Sequence, residues 1–161
     1  MDNKINNDTD ILTVYKLEAI DYIEGKDSLA SVEKMLIGFF SSIDACAETE
    51  RDYKSLPGFS QQSCEFLITP FVFSSVDSGT VKRVFYESYE ENEMTNAGGI
   101  QNCEIGLFLS REEAETAKTL FLSNLDSGRL LENHEQSTVV YIEEYQINQR
   151  YWQEGYSRYS Y

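Results

Sequence analysis

The chain is poor in the groups that most enzymes use. One histidine, His134, and three cysteines, Cys46, Cys64 and Cys103, occur among 161 residues. A hydrolytic triad needs a histidine beside its nucleophile. His134 stands in the polar stretch Glu132-Asn133-His134-Glu135-Gln136, which reads as a solvated loop. No C-x-x-C pair is present, and three cysteines cannot be completely paired within one chain, which suits a reducing compartment. The histidine has no cysteine at ligand spacing, which excludes a zinc site of the usual kind. Neither a phosphate-binding G-x-x-x-x-G-K-[ST] nor a calcium loop occurs. Asn96-Ala97-Gly98-Gly99 lacks the lysine of a phosphate loop and is read as a flexible connection between two strands. No catalytic residue, metal site or cofactor is expected, and the chain is read as something other than an enzyme.

Long apolar runs are also missing. None approaches the ~20 residues that cross a bilayer, and Met1 to Asp10 has neither the basic nor the apolar region of a signal peptide. A soluble, cytoplasmic protein is expected. Basic residues are scarce: 13 Lys and Arg stand against 28 Asp and Glu, a formal charge of −15. Such a surface repels phosphate backbones, which argues against direct nucleic-acid binding. With 41% hydrophobic and 13% aromatic residues the chain still has the material for a core.

What is present is a duplication. Ile37-Gly38-Phe39-Phe40-Ser41-Ser42 is echoed by Ile105-Gly106-Leu107-Phe108-Leu109-Ser110, and both run into a helical pattern. Cys46, Thr49 and Tyr53 recur at helical spacing in the first copy, and Ala114, Ala117 and Phe121 fall at the matching places in the second. Ser110-Arg111-Glu112-Glu113 has the form of a capping box, and Ser42 is placed to cap the first helix. Leu56-Pro57-Gly58-Phe59 ends that helix, since proline cannot continue it and glycine turns the chain out.

Two strand-like segments precede each helix and one follows it. Val14 to Ile23 matches Val84 to Glu91, and Phe66-Leu67-Ile68 with Phe71 and Phe73 matches Val140-Tyr141-Ile142 with Tyr145 and Ile147. The expected class is α+β: two strand-strand-helix-strand units with mainly antiparallel sheet, packed by pseudo-symmetry into one compact domain. The expected divisions are a flexible terminus at 1–11, a first unit at 12–75, a linker at 76–81, a second unit at 82–150 and an aromatic tail at 151–161.

The order Val14-Tyr15-x-Leu17, Ile37-Gly38-Phe39-Phe40-Ser41-Ser42, Leu56-Pro57-Gly58-Phe59 and Phe66-x-Ile68-x-x-Phe71 resembles a family of small bacterial domains of unassigned function. The resemblance covers roughly Val14 to Phe73 and fades in the second half, where the Pro-Gly-Phe element is missing. It implies a fold and no reaction. In overall type, a small and very acidic chain with duplicated α+β units is similar to the immunity proteins that neutralise toxins of contact-dependent growth inhibition.

Carboxylates and aromatics gather in two stretches, Tyr86-Glu87-Ser88-Tyr89-Glu90-Glu91-Asn92-Glu93 and Tyr141-Ile142-Glu143-Glu144-Tyr145, and the tail adds Tyr151, Trp152, Glu154 and Tyr156. Tyrosine and tryptophan supply rigid amphipathic area, and carboxylates beside them pair with arginine and lysine of a basic partner. Glu87, Tyr89, Glu90, Glu91, Glu93, Glu143, Glu144, Tyr145, Tyr151, Trp152, Glu154 and Tyr156 are therefore the expected partner-binding residues. The same alternation also describes an ordinary half-exposed strand. The expected partner is a basic toxin domain, a nuclease above all, with its site covered by carboxylates held where phosphates would lie. The other reading is a small-molecule-binding or regulatory module with a pocket between the repeats.

Overall fold

Alternating apolar and polar residues make Leu12–Ile23 a strand, β1, and the same pattern recurs in β2 (Ser31–Phe40) and β3 (Glu65–Phe73). Between β2 and β3 lies helix α1 (Ile43–Tyr53). The order repeats with β4 (Thr80–Asn92), β5 (Ala97–Phe108), helix α2 (Arg111–Ser127) and β6 (Thr138–Gln146). The computed structural model describes residues 11–23, 31–62, 64–74, 79–92, 97–127 and 138–156. The terminus expected to be flexible, apart from Ile11, and His134 lie outside the described residues. Among them, no helix is long and apolar enough to cross a membrane.

The fold is α+β, two three-stranded antiparallel sheets of order β2-β1-β3 and β5-β4-β6, each with one helix. The chain divides into two compact units, Met1–Val76 with Gln146–Tyr161, and Asp77–Tyr145. The first strand of each unit is central. Their registers agree in detail: Leu17 faces Gly38 and Val84 faces Gly106, and the ladder then skips one residue, so that a bulge falls at Ile37 in one unit and Ile105 in the other.

Each helix starts at the expected serine. Ser42 Oγ accepts from the Ala45 amide at 3.2 Å, and Ser110 Oγ from the Glu113 amide at 3.1 Å. Cys46, Thr49 and Tyr53 form the buried stripe of α1, and Cys46 and Tyr53 pack with Leu17, Ala19, Met35, Ile37, Phe40 and Phe59. Burial pushes the Cys46 thiol up to about 11, in keeping with a small apolar core residue. In the second unit Val84, Ala114 and Val140 form the centre, with Tyr86 stacked on Phe121 at 4.9 Å between centroids.

Three expectations need correction. Gly98 and Gly99 are strand residues of β5, opposite Glu91 and Glu90, because ladder bonds use only backbone groups. The linker expected at 76–81 is shorter, since Thr80 and Val81 already belong to β4 and Val81 is buried. The segment after Gln146 belongs to neither the second unit nor a free tail. The Asn148 amide donates to Phe39 O at 2.7 Å, the Tyr151 amide to Ile37 O at 2.8 Å and the Tyr156 amide to Pro57 O at 3.1 Å. Unit 1 is thus closed by the far end of the chain.

Two glycines make that closure possible. A Cβ on Gly38 would lie 2.5 Å from the Gln149 carbonyl oxygen, so only glycine admits the returning segment there. Gly58 has φ +84°, and a Cβ on it would collide with Tyr156, so the expected helix stop is also the floor of the tyrosine's seat. Above that floor the Tyr156 ring meets Phe59 edge to face at 4.8 Å. Its hydroxyl donates to Asp21 Oδ2 at 3.0 Å and lies 2.9 Å from Cys64 Sγ. Asp21 is 1% exposed, so the loss of one partner is costly. Tyr156→Phe should lower stability by about 1.5–3 kcal/mol, the range for a hydrogen bond to a charged group. Urea unfolding followed through Trp152, the single tryptophan, measures it, and an unchanged midpoint would contradict the assignment.

Candidate functional site

Successive side chains of a strand point to opposite faces, which sorts the residues of unit 2. Val84 and Tyr86 of β4 and Val140 and Ile142 of β6 pack with α2. Arg83, Phe85 and Glu87 therefore share the opposite face with Val139, Tyr141, Glu143 and Tyr145. Glu104 of β5, opposite Phe85, joins them.

Arg83 is the hub of this face. Its Nε donates to Glu104 Oε2 at 2.9 Å, and its guanidinium lies 4.9 Å from the centroid of the Phe85 ring. Phe85 in turn stacks on Tyr141 at 5.3 Å. Burial works against the guanidinium charge, but its hydrogen bonds to Glu104 and Tyr145, with their charges, outweigh it and hold the group above its ordinary pKa. The Tyr145 hydroxyl donates to Glu143 Oε2. Burial, then the hydrogen bond and charge of Glu143, push Tyr145 up to about 12, against the opposing pull of Arg83. Tyr141 remains 40% exposed, and Glu143 and Glu144 are exposed. Phe85 is buried and Arg83 is largely enclosed, so the part of this polar aromatic plate open to solvent is its β6 rim, the Tyr141 ring and the Glu143 carboxylate.

The twelve expected partner-binding residues separate into groups. Glu143 and Tyr145 are hydrogen-bonded neighbours on this face, and Glu87 shares the face on the adjacent strand but lies further along it, beyond the Phe85–Tyr141 stack. Glu144 points the other way along β6 and is exposed. Tyr89, Glu90 and Glu91 pair with Ile100, Gly99 and Gly98 through the backbone, and their side chains, like the whole of Glu93, lie outside the described residues. Tyr151, Trp152, Glu154 and Tyr156 belong to unit 1. Trp152, at φ 59°, is 47% exposed and Glu154 is exposed, but Tyr151 and Tyr156 are half-buried in their own unit. The reading of Tyr156 as a free interface ring does not hold, because its hydroxyl and ring are both engaged.

Arg83, Phe85 and Tyr141 were not among the expected site residues. The signal was there in the alternation Arg83, Phe85, Glu87, which places an arginine among aromatics on one face. Exposed carboxylates are also not confined to one patch: Asp44, Glu48 and Asp52 on α1 and Glu112, Glu113 and Glu115 on α2 add to the negative surface. Among the described residues no three His, Cys, Asp or Glu side chains are placed to hold a metal ion.

The Tyr145 shift sets a pH signature. Its folded pKa of about 12 exceeds its ordinary 10.0, so the neutral phenol is favoured by folding. That contribution is complete below about pH 10 and is lost as pH rises toward 12. In a spectrophotometric titration of tyrosinate, Tyr145→Phe should remove one phenol from the latest-titrating group. Loss of an early phenol instead would refute the Arg83–Tyr145–Glu143 geometry. The chain matches no family model, no curated protein and no solved structure.

Proposed function

We propose that this chain is a non-catalytic inhibitor of the immunity-protein type, which binds a basic toxin domain and occludes its active site or substrate groove. A ribonuclease suits the charge best, since such an enzyme must present cations to hold phosphates. The observation that carries the reading is the edge strand β6, where Tyr141, Glu143 and Glu144 are exposed on a chain of charge −15.

The physics divides into two parts. The summed charge of the chain steers a cationic partner toward it and raises the encounter rate. At contact, screening over about 8 Å leaves only the nearby groups to matter. Glu143, which accepts the Tyr145 hydroxyl and keeps its charge, can meet lysine or arginine at the rim, Glu144 can do so from the other face of the same edge strand, and Tyr141, backed by Phe85, gives a flat ring against which a guanidinium can stack. Arg83 is held to Glu104 and Tyr145, so it adds rigidity to the plate without cancelling the rim carboxylates.

The test is binding to, and inhibition of, the product of the neighbouring upstream gene. The association rate should fall by about tenfold or more between about 50 and about 500 mM salt, as expected for steered encounters. Glu143→Gln with Glu144→Gln should slow association by roughly threefold, and Tyr141→Ala should mainly shorten the lifetime of the complex. A product that is neither bound nor inhibited, or binding indifferent to salt, would overturn the proposal.

A further inference from the structure

The two units share one edge design and use it differently. In unit 1 the outward carbonyls of Ile37 and Phe39 accept the Tyr151 and Asn148 amides, and Ile147 forms a β-bridge with Phe39. In unit 2 the same register and the same bulge turn the carbonyls of Ile105 and Leu107 outward, and β5 ends its sheet. Among the described residues, no segment beyond β4 bonds to them. A Cβ on Gly106 would meet only the ring of Phe108, where one on Gly38 meets the docked backbone. Burial follows suit: Ile37, Phe39 and Phe40 are buried, but Ile105, Leu107 and Phe108 are only half-buried. An open groove of about 370 Å³ lies beside this edge, lined by Phe108, Glu112, Glu113, Thr116 and Ala117.

We propose that the outer edge of β5 is a strand-docking seat for an extended segment of a partner protein, with an aliphatic side chain where the chain's own returning segment carries Arg150. The occupied seat in unit 1 shows what such an edge takes, and the replacements in unit 2 show what it refuses. Arg150 Nη1 pairs with Asp52 Oδ2 at 2.7 Å in unit 1, and the residue at the place of Asp52 in α2 is Leu120, 60% exposed. Tyr53 donates its hydroxyl to the Tyr151 carbonyl, and its counterpart is Phe121, which has none. Asn148 Oδ1 accepts from the Ser41 amide and hydroxyl at 3.0 and 3.2 Å, and Leu109 stands for Ser41. An arginine laid over Leu120 would lose its carboxylate, whereas a leucine or isoleucine there would bury apolar area on both sides. The main-chain bonds come from the edge itself, as in other strand additions.

The seat does not use the β6 face, so it goes beyond the proposed inhibitor function and stands or falls separately from it. The test uses the full chain and two labelled synthetic peptides covering residues 146–156, one native and one with Arg150→Leu, followed by fluorescence polarisation. The Arg150→Leu peptide should bind about tenfold more tightly than the native one, a difference of about 1.4 kcal/mol. Leu120→Asp in the chain should reverse that preference. Leu107→Pro should abolish binding of both peptides while leaving the fold intact, because the Leu107 amide points away from β4. Trp152 fluorescence should stay unchanged, since the returning segment keeps its own seat. Equal binding of the two peptides, a preference untouched by Leu120→Asp, or a Trp152 change that signals displacement would each overturn the proposal. So would a dimer that Leu107→Pro dissolves, which would give the seat to a second copy of this chain.

Discussion

An edge strand whose outward carbonyls lie among apolar side chains has to find donors, and this requirement governs unit 1. Ile37 and Phe39 are fully buried, yet their carbonyls face away from β1. Leaving two buried acceptors bare would cost more than any single contact in the unit returns. The donors come from Asn148 and Tyr151, and their arrival has conditions: a glycine at 38, a left-handed residue at 148 and a clamp from Ser41. Asparagine accepts φ 67° more readily than most residues, and its side chain is used at once on Ser41. Because the donors follow the whole of unit 2 in the chain, closure of unit 1 is among the longest-range events in its folding.

Duplication explains the shared geometry, and divergence explains the different contents. The bulge, the capping serine and the Gly-x-aromatic strand end are kept in both copies, since each positions a helix against a sheet. Ser41, Asp52 and Tyr53 touch the returning segment, and their places in the second copy are taken by Leu109, Leu120 and Phe121. These three exchanges remove a hydroxyl pair, an ion pair and a phenol donor while preserving the helix and its packing. A single returning segment cannot serve two edges, and the exchanges assign it to one of them. This is specificity achieved by removing partners rather than by adding clashes.

The parts of the fold governed by local rules were legible in the sequence. Serine caps and the spacing of Cys46, Thr49 and Tyr53 act within a few residues, and each stands where the pattern put it, whereas α1 already closes at Lys54, ahead of the Pro57-Gly58 turn expected to end it. The succession of strands and helix along the chain followed from the repeat, and the place of the first strand at the centre of each sheet did not. What was not legible depends on distant pairings. Nothing near Tyr156 shows that its hydroxyl will reach Asp21, and nothing near Gly38 shows that it faces Gln149. An aromatic-rich end reads alike whether it docks or waits. Gly98 and Gly99 misled for another reason: glycine marks turns by its freedom, but a ladder is made by the backbone and accepts it. For the site, the paired acidic stretches were visible on β4 and β6, but the Arg83 hub needed the alternation of faces to be fixed by the helix packing on Val84.

The spread of carboxylates over both helices as well as the β6 face bears on how an acidic protein chooses a partner. Charges beyond about 8 Å from a contact are screened within the complex, so Asp44 or Glu112 adds little to its lifetime when the contact lies elsewhere. The same charges act together on a partner still in solution and raise the encounter rate. A diffuse surplus therefore attracts any cationic protein, and discrimination has to come from shape and desolvation at one place. In the proposed reading that place is β6, where Arg83 stiffens the aromatic plate behind Tyr141 and rotamers are already restricted before binding, which lowers the ordering cost. The pairing of Arg83 with Glu104 neutralises the cation within the plate, and Glu143, which accepts from the neutral Tyr145 phenol, keeps its charge at the rim. A partner with a basic ring around an apolar or planar centre fits that pattern, and one with a uniformly basic surface gains the encounter without the lifetime.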